Sequence, residues 1–199
     1  MNGNVTRLTV VIVNLNTRDL LRACLSSIFK SWTGGSGIEV IVVDNGSSDG
    51  SVEMIRSEFP QVRLNALDEN AGFSRANNIG LRQSSGGYQL ILNSDTEIVG
   101  NALEEMCRFM DGDPKVGALG VQLLNTDGSI QLSCRRFPSY RTALFNRYSL
   151  LTRLFPKNRY STDYLMTDTG HAETRQVDWV SGACLMTRRS RVLIPINRC

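Results

Sequence analysis

The 199-residue sequence has no apolar run approaching the roughly 20 residues that a membrane span needs. Val10 to Val13 is too short for the core of a signal peptide and leads into Asn14. The expected location is therefore cytoplasmic. Cysteine is sparse: Cys24, Cys107, Cys134, Cys184 and Cys199 are odd in number, and none forms a C-x-x-C pair. That excludes a disulfide framework and a zinc site of the paired kind, and the thiols read as reduced and mostly internal. No G-x-x-x-x-G-K-[ST] occurs, so the chain is not a P-loop NTPase. No G-x-G-x-x-G follows the first apolar run, which argues against a dinucleotide fold. The one histidine, His171, takes no assigned role.

Acidic residues are missing from one segment. Between Cys134 and Tyr160 stand Arg135, Arg136, Arg141, Arg147, Arg153, Lys157 and Arg159, with no Asp or Glu. The net charge of the whole chain is only +3, so the remainder is net acidic. The basic residues alternate with Leu144, Phe145, Tyr148, Leu150, Leu151, Leu154 and Phe155. Two readings fit: a solvated basic face over core residues, or an amphipathic segment meeting anionic lipid. No nucleic-acid motif accompanies the run, so nucleic acid is not an expected partner.

What is present begins at Leu90-Ile91-Leu92-Asn93-Ser94-Asp95, where an apolar run ends in a polar cluster. A buried parallel strand reads this way when it stops at a ligand site. By itself the cluster reads equally well as a turn or helix cap. Two more runs end alike. Leu8 to Val13 stops at Asn14-Leu15-Asn16, and Ile38 to Val43 stops at Asp44-Asn45-Gly46-Ser47-Ser48-Asp49-Gly50. Helical stripes lie between: Leu20, Leu21, Cys24, Leu25, Ile28, Phe29 and Trp32, with Asn16 or Thr17 as cap; then Val52, Ile55 and Phe59; then Leu103, Met106, Cys107 and Met110. Short strands are expected at Val62 to Leu64 and Val116 to Val121, and a turn at Asn125 to Gly128. The alternation predicts an α/β fold: a three-layer sandwich around a mostly parallel sheet. Parallel strands bring all three polar ends to one edge, as a nucleotide site requires. With no P-loop, phosphate charge falls to a metal on Asp95 and a cation such as Arg75.

These motifs, in order with Asn70 to Gly80 and Val177-Asp178-Trp179-Val180-Ser181-Gly182-Ala183-Cys184, resemble the family 2 glycosyltransferases, most closely their rhamnosyltransferase-like branch. The resemblance covers roughly residues 7 to 189. It implies the A-type nucleotide-diphospho-sugar transferase (GT-A) fold, with a donor-binding half at 7–122, an acceptor-side segment at 123–189 and a non-family tail at 190–199. It implies a donor site of Asn14, Asn16, Asp44, Asn45, Ser47, Arg75, Asn78, Asn93, Ser94 and Asp95, with Asp44 against the nucleotide base. The family's D-x-D falls on Asn93-Ser94-Asp95, so Asp95 alone carries over as ligand to Mg²⁺ or Mn²⁺. The implied reaction is inverting transfer of a sugar, rhamnose by branch, from a nucleotide donor. The acceptor would be a saccharide or a lipid-linked one, in cell-surface polysaccharide synthesis. Contact of residues 135–159 with the cytoplasmic membrane face would suit it.

The pattern breaks near the end. Family members continue into an acidic stretch that supplies the general base, whereas this chain reads Arg188 to Cys199 and stops. The catalytic base is thus unassigned, with Asp178 a remaining carboxylate near the donor side. A truncated, non-catalytic nucleotide-sugar-binding remnant is one alternative. A nucleotidyltransferase is another, but Asn14 to Asp19 lacks the glycine-rich loop that chemistry uses.

Overall fold

The computed structural model describes residues 6–33, 37–131, 133–137 and 174–189. The basic segment expected at a membrane lies almost wholly outside the described residues, as do His171 and the tail. No helix among the described residues is long and apolar enough to cross a membrane.

The chain divides into two units, Met1–Leu119 with Gly182–Cys199, and Gly120–Ser181. The first unit is built on β1 (Leu8–Asn14), whose Leu8, Val10, Val11 and Ile12 are fully buried. A strand covered on both faces has no polar side, which is why it reads as one apolar run. β1 pairs in parallel with β2 (Ile38–Asp44) on one side and with β4 (Tyr88–Asn93) on the other. β3 (Arg63–Ala66) extends the sheet beyond β2, also in parallel. The register sets Asn14 beside Asp44 and Val13 beside Asn93, so all three polar ends share one edge.

The helices are α1 (Arg18–Ser31), α2 (Ser51–Glu58), α3 (Phe73–Gln83) and α4 (Ala102–Gly112). α1 buries Leu21, Cys24, Leu25 and Ile28, the i, i+3, i+4, i+7 set of an amphipathic helix. Leu20, counted in that stripe, is instead 52% exposed, because its position lies past the edge of the buried arc. Phe29 stacks on Phe59 with ring centroids 6.2 Å apart. α4 buries all four residues expected of it. α3 packs against β1 so closely that a Cβ on Gly80 would lie 2.4 Å from Val11 Cγ1.

Residues 184–188 fall in the first unit. β10 (Cys184–Arg188) enters the first unit's sheet between β4 and β5 (Ala118–Gly120), antiparallel to β4. Its Cys184 and Met186 are buried opposite Leu92 and Leu90. Arg188 fastens it. Its guanidinium donates to the carbonyls of Met110 and Asp113 at the end of α4 and to that of Val116, and lies 5.5 Å from the Tyr88 ring centre. A cation there meets the negative end of the α4 dipole.

The second unit holds two small ribbons, β6 (Leu123–Leu124) with β7 (Ile130–Gln131) and β8 (Cys134–Arg135) with β9 (Trp179–Val180). The expected turn joins the first pair, closed by Asn125 N–H on the Ser129 carbonyl and Gly128 N–H on that of Asn125.

Asp49 ties two helix starts together. Its carboxylate accepts the Arg18 N–H of α1 (2.8 Å) and the Ser51 N–H of α2 (3.1 Å). Slight burial works against the charge, but these N–H groups and the Ser51 hydroxyl outweigh it and hold the carboxyl below its ordinary pKa. Asp49→Ala should cost about 0.5–2 kcal/mol, the usual range for a lost cap. That stabilisation is present above the unfolded pKa and is lost as pH falls through the lower folded one. Urea unfolding at neutral and acidic pH checks it: the gap between native and variant should close in acid.

Candidate functional site

The sheet edge opens into a cleft of about 360 Å³ lined by Val13, Leu15, Asn45, Asn70, Gly72, Phe73, Asn93, Ser94 and Asp95. Four of these, Asn45, Asn93, Ser94 and Asp95, are residues the sequence assigns to the donor. Leu15 and Phe73 are 40% and 54% exposed, so the cleft offers an apolar and an aromatic wall. Phe73 opens α3 and carries no charge, so the sequence pattern for phosphate or metal could not single it out.

Asp44 stands behind this lining. It is 1% exposed, and both oxygens are committed: Oδ1 accepts Asn14 Nδ2–H at 2.8 Å, and Oδ2 accepts Ser47 N–H at 2.8 Å. A fully buried carboxylate needs such partners. In this structure the carboxylate shapes the strand ends, and its neighbour Asn45 faces the cleft. Asn14 Nδ2 also reaches Ser47 Oγ (3.1 Å), which accepts the Asn16 N–H as well (2.9 Å). Asn16 itself has φ 53°, a left-handed conformation that asparagine tolerates, and its Oδ1 accepts the Ser48 N–H.

A second clasp sets the opposite lip. Asn45 Nδ2 donates to Asn70 Oδ1 (2.7 Å), while Asn45 Oδ1 accepts the Ala71 N–H (2.8 Å). Asn70 Oδ1 also takes the Gly72 N–H. The two loops touch at Gly46 (φ 84°), where a Cβ would come within 3.1 Å of Glu69 Cα. Side-chain amides thus place the start of α3 beside the end of β2.

Thr17 is the residue that motif reading undervalued. It precedes α1 as expected, yet its hydroxyl makes no cap bond. It donates instead to Asn14 Oδ1 (2.6 Å) and lies 2.9 Å from Ser94 Oγ. Those contacts join the ends of β1 and β4.

Arg75 and Asn78, both on α3, are not among the lining residues; Arg75 is exposed and Asn78 is buried. Asp178 is exposed in the second unit and accepts the Phe137 N–H (3.1 Å). Beneath the β4 turn, burial first and then the charge of Asp95 push the Cys24 thiol up to about 12, so it stays protonated and inert.

No group of three or more metal-binding side chains occurs among the described residues. Asp95 is exposed on the cleft, and among the described residues no hydrogen bond or ion pair holds its carboxylate. One free carboxylate with neighbouring amide and hydroxyl oxygens fits a hard cation that takes its other ligands from phosphate and water.

The family model for glycosyl transferase family 2 matches residues 9–179. The chain belongs to that family. Among curated relatives it is 28% identical, over 194 residues, to the N-acetylglucosaminyl-diphospho-decaprenol L-rhamnosyltransferase of Mycobacterium tuberculosis, covering 92% of this chain and 62% of the relative. It is 28% identical to the glycosyltransferase AglE of Haloferax volcanii, covering 81% of this chain and 50% of that one. The chain thus spans less than two thirds of the length of these relatives. Among solved structures it resembles S. aureus TarS (residues 1–349) in complex with UDP, with a TM-score of 0.56 at 22% identity. That match covers 67% of this chain and 38% of the TarS 1–349 chain. The Pyrobaculum calidifontis mannosyltransferase PcManGT, in complex with GDP-Man and Mn²⁺, superposes with a TM-score of 0.52 at 25% identity, over 70% and 38% of the two chains. The fold of this family 2 member is GT-A, and the cleft lies at the strand ends where that sheet places ligands.

Proposed function

We propose that this chain binds a nucleoside-diphosphate sugar, with rhamnose as the sugar, in the cleft above β1, β2 and β4. The sugar is then moved to a lipid-linked saccharide acceptor in cell-surface polysaccharide synthesis. The observation that carries the reading is the free Asp95 carboxylate, in a cleft whose other walls are amides, a hydroxyl, two aliphatic side chains and an aromatic one. The rhamnosyltransferase relative supports the choice of sugar and lipid-diphosphate acceptor.

In this reading the base lies against Leu15 and Phe73, with Asn45 supplying the polar contact. Asp44 acts through Asn14 and Ser47 by holding the strand ends in place. Asp95 would hold Mg²⁺ or Mn²⁺ next to the diphosphate. When bound, the cation supplies positive charge to the departing nucleoside diphosphate. An acceptor hydroxyl attacks the anomeric carbon, the bond from that carbon to the diphosphate oxygen breaks, and a general base takes the hydroxyl proton. No described residue is assigned as that base.

A donor panel tests the reading. Calorimetry with dTDP-rhamnose, UDP-GlcNAc and GDP-mannose in Mn²⁺ should rank dTDP-rhamnose tightest. A tighter fit for GDP-mannose would overturn the choice of donor.

A further inference from the structure

We propose that Ser94 Oγ is a cation-facing oxygen, its proton drawn away from the cleft by a hydrogen-bond chain that begins at Asp44. This rests on the reading of the cleft as a metal–nucleotide site and adds a residue to it. The hydrogen-bond chain starts at its buried end. A carboxylate only accepts hydrogen bonds, so the Asn14 atom 2.8 Å from Asp44 Oδ1 is the amide nitrogen. The other end of that amide, Asn14 Oδ1, is then an acceptor facing Thr17. It can be satisfied at 2.6 Å only by the Thr17 hydroxyl proton.

A threonine hydroxyl has a single proton. With that proton spent on Asn14, the 2.9 Å contact between Thr17 Oγ1 and Ser94 Oγ must run the other way, from Ser94 to Thr17. Ser94 then has no proton left for the cleft it lines, and shows it lone pairs only. A serine with a free proton donates to a phosphate oxygen. A serine with only lone pairs repels that oxygen and attracts a cation. The adjacent residue is the uncommitted carboxylate of Asp95. Two neighbouring oxygens, one charged and one neutral, thus face the same space, with an amide at Asn93 where the motif's first acid would stand. The polarity of this corner is set from Asp44 through Asn14 and Thr17, three residues that do not line the cleft.

The test measures binding of dTDP by calorimetry on the 199-residue chain, with and without Mg²⁺, Mn²⁺ or Cd²⁺. Ser94→Ala should lower cation-supported affinity about tenfold or more, as losing a ligand or its support does, and leave cation-free affinity unchanged. Ser94→Cys should raise the ratio of Cd²⁺-supported to Mg²⁺-supported binding, because sulfur prefers the softer ion. Thr17→Val frees the Ser94 proton and should act like Ser94→Ala, while Thr17→Ser keeps native behaviour. Equal losses with and without cation, no change in Ser94→Ala, or an unaltered Cd²⁺ to Mg²⁺ ratio in Ser94→Cys would each overturn the assignment. If the native chain itself shows no cation-supported dTDP binding, the metal–nucleotide reading fails as well, and that result is separate from the variant outcomes.

Discussion

Asp95→Asn should abolish the cation-supported part of nucleotide binding and spare the rest. Among the described residues the carboxylate is the one charged group lining the cleft, and nothing else holds it. Asparagine keeps the shape and one oxygen but loses the charge, and a neutral amide is a poor substitute ligand for Mg²⁺ or Mn²⁺. Because Asp95 is exposed and, among the described residues, supports no other side chain by hydrogen bond, the thermal midpoint should move little. Dissociation constants for dTDP with and without Mn²⁺ should therefore converge in the variant. A variant that still binds more tightly with Mn²⁺, by the native ratio, would remove Asp95 from the metal site.

Asp44→Ala should behave in the opposite way, as a stability variant that also loses binding. Removing the carboxylate strands the Asn14 amide and the Ser47 N–H, both paired to it at 2.8 Å, the first buried and the second half-buried. Each hydrogen bond to a charged group is worth about 1.5–3 kcal/mol, so the pair implies a loss of about 3 kcal/mol or more. Denaturant unfolding should show this loss without any ligand. Nucleotide affinity should fall without cation, because the loops that carry Asn45 and Ser94 are set through Asp44, and fall further with it, because the Ser94 proton is oriented from Asp44. A variant with native stability but no base binding would return Asp44 to direct contact with the nucleotide.

The contrast between these two carboxylates marks how far the sequence could be read. Both stand at strand ends, and the apolar runs before them were enough to place them on one edge, since parallel strands in register leave no other arrangement. Which of the two faces the cleft depends on Asn14 and Ser47. Those residues lie 30 positions from Asp44 or within its own loop, and a linear motif does not record where an amide points. Thr17 illustrates the same limit. Its position before α1 was legible, but a helix cap and a bridge to Ser94 look identical until β4 is laid beside β1. Leu20 fell outside the buried arc because a stripe read from hydrophobicity has no sharp edge. β10 lies more than 90 residues from β4 in the chain, and its antiparallel insertion between β4 and β5 has no local signal. The helices were the most legible part, with α4 burying the four residues its period selects.

The most direct measurement is a calorimetric titration of dTDP into the native 199-residue chain, with and without Mn²⁺. Binding should saturate and should tighten when Mn²⁺ is added. Binding that is absent in both conditions, or identical in both, would contradict a metal–nucleotide site at Asp95.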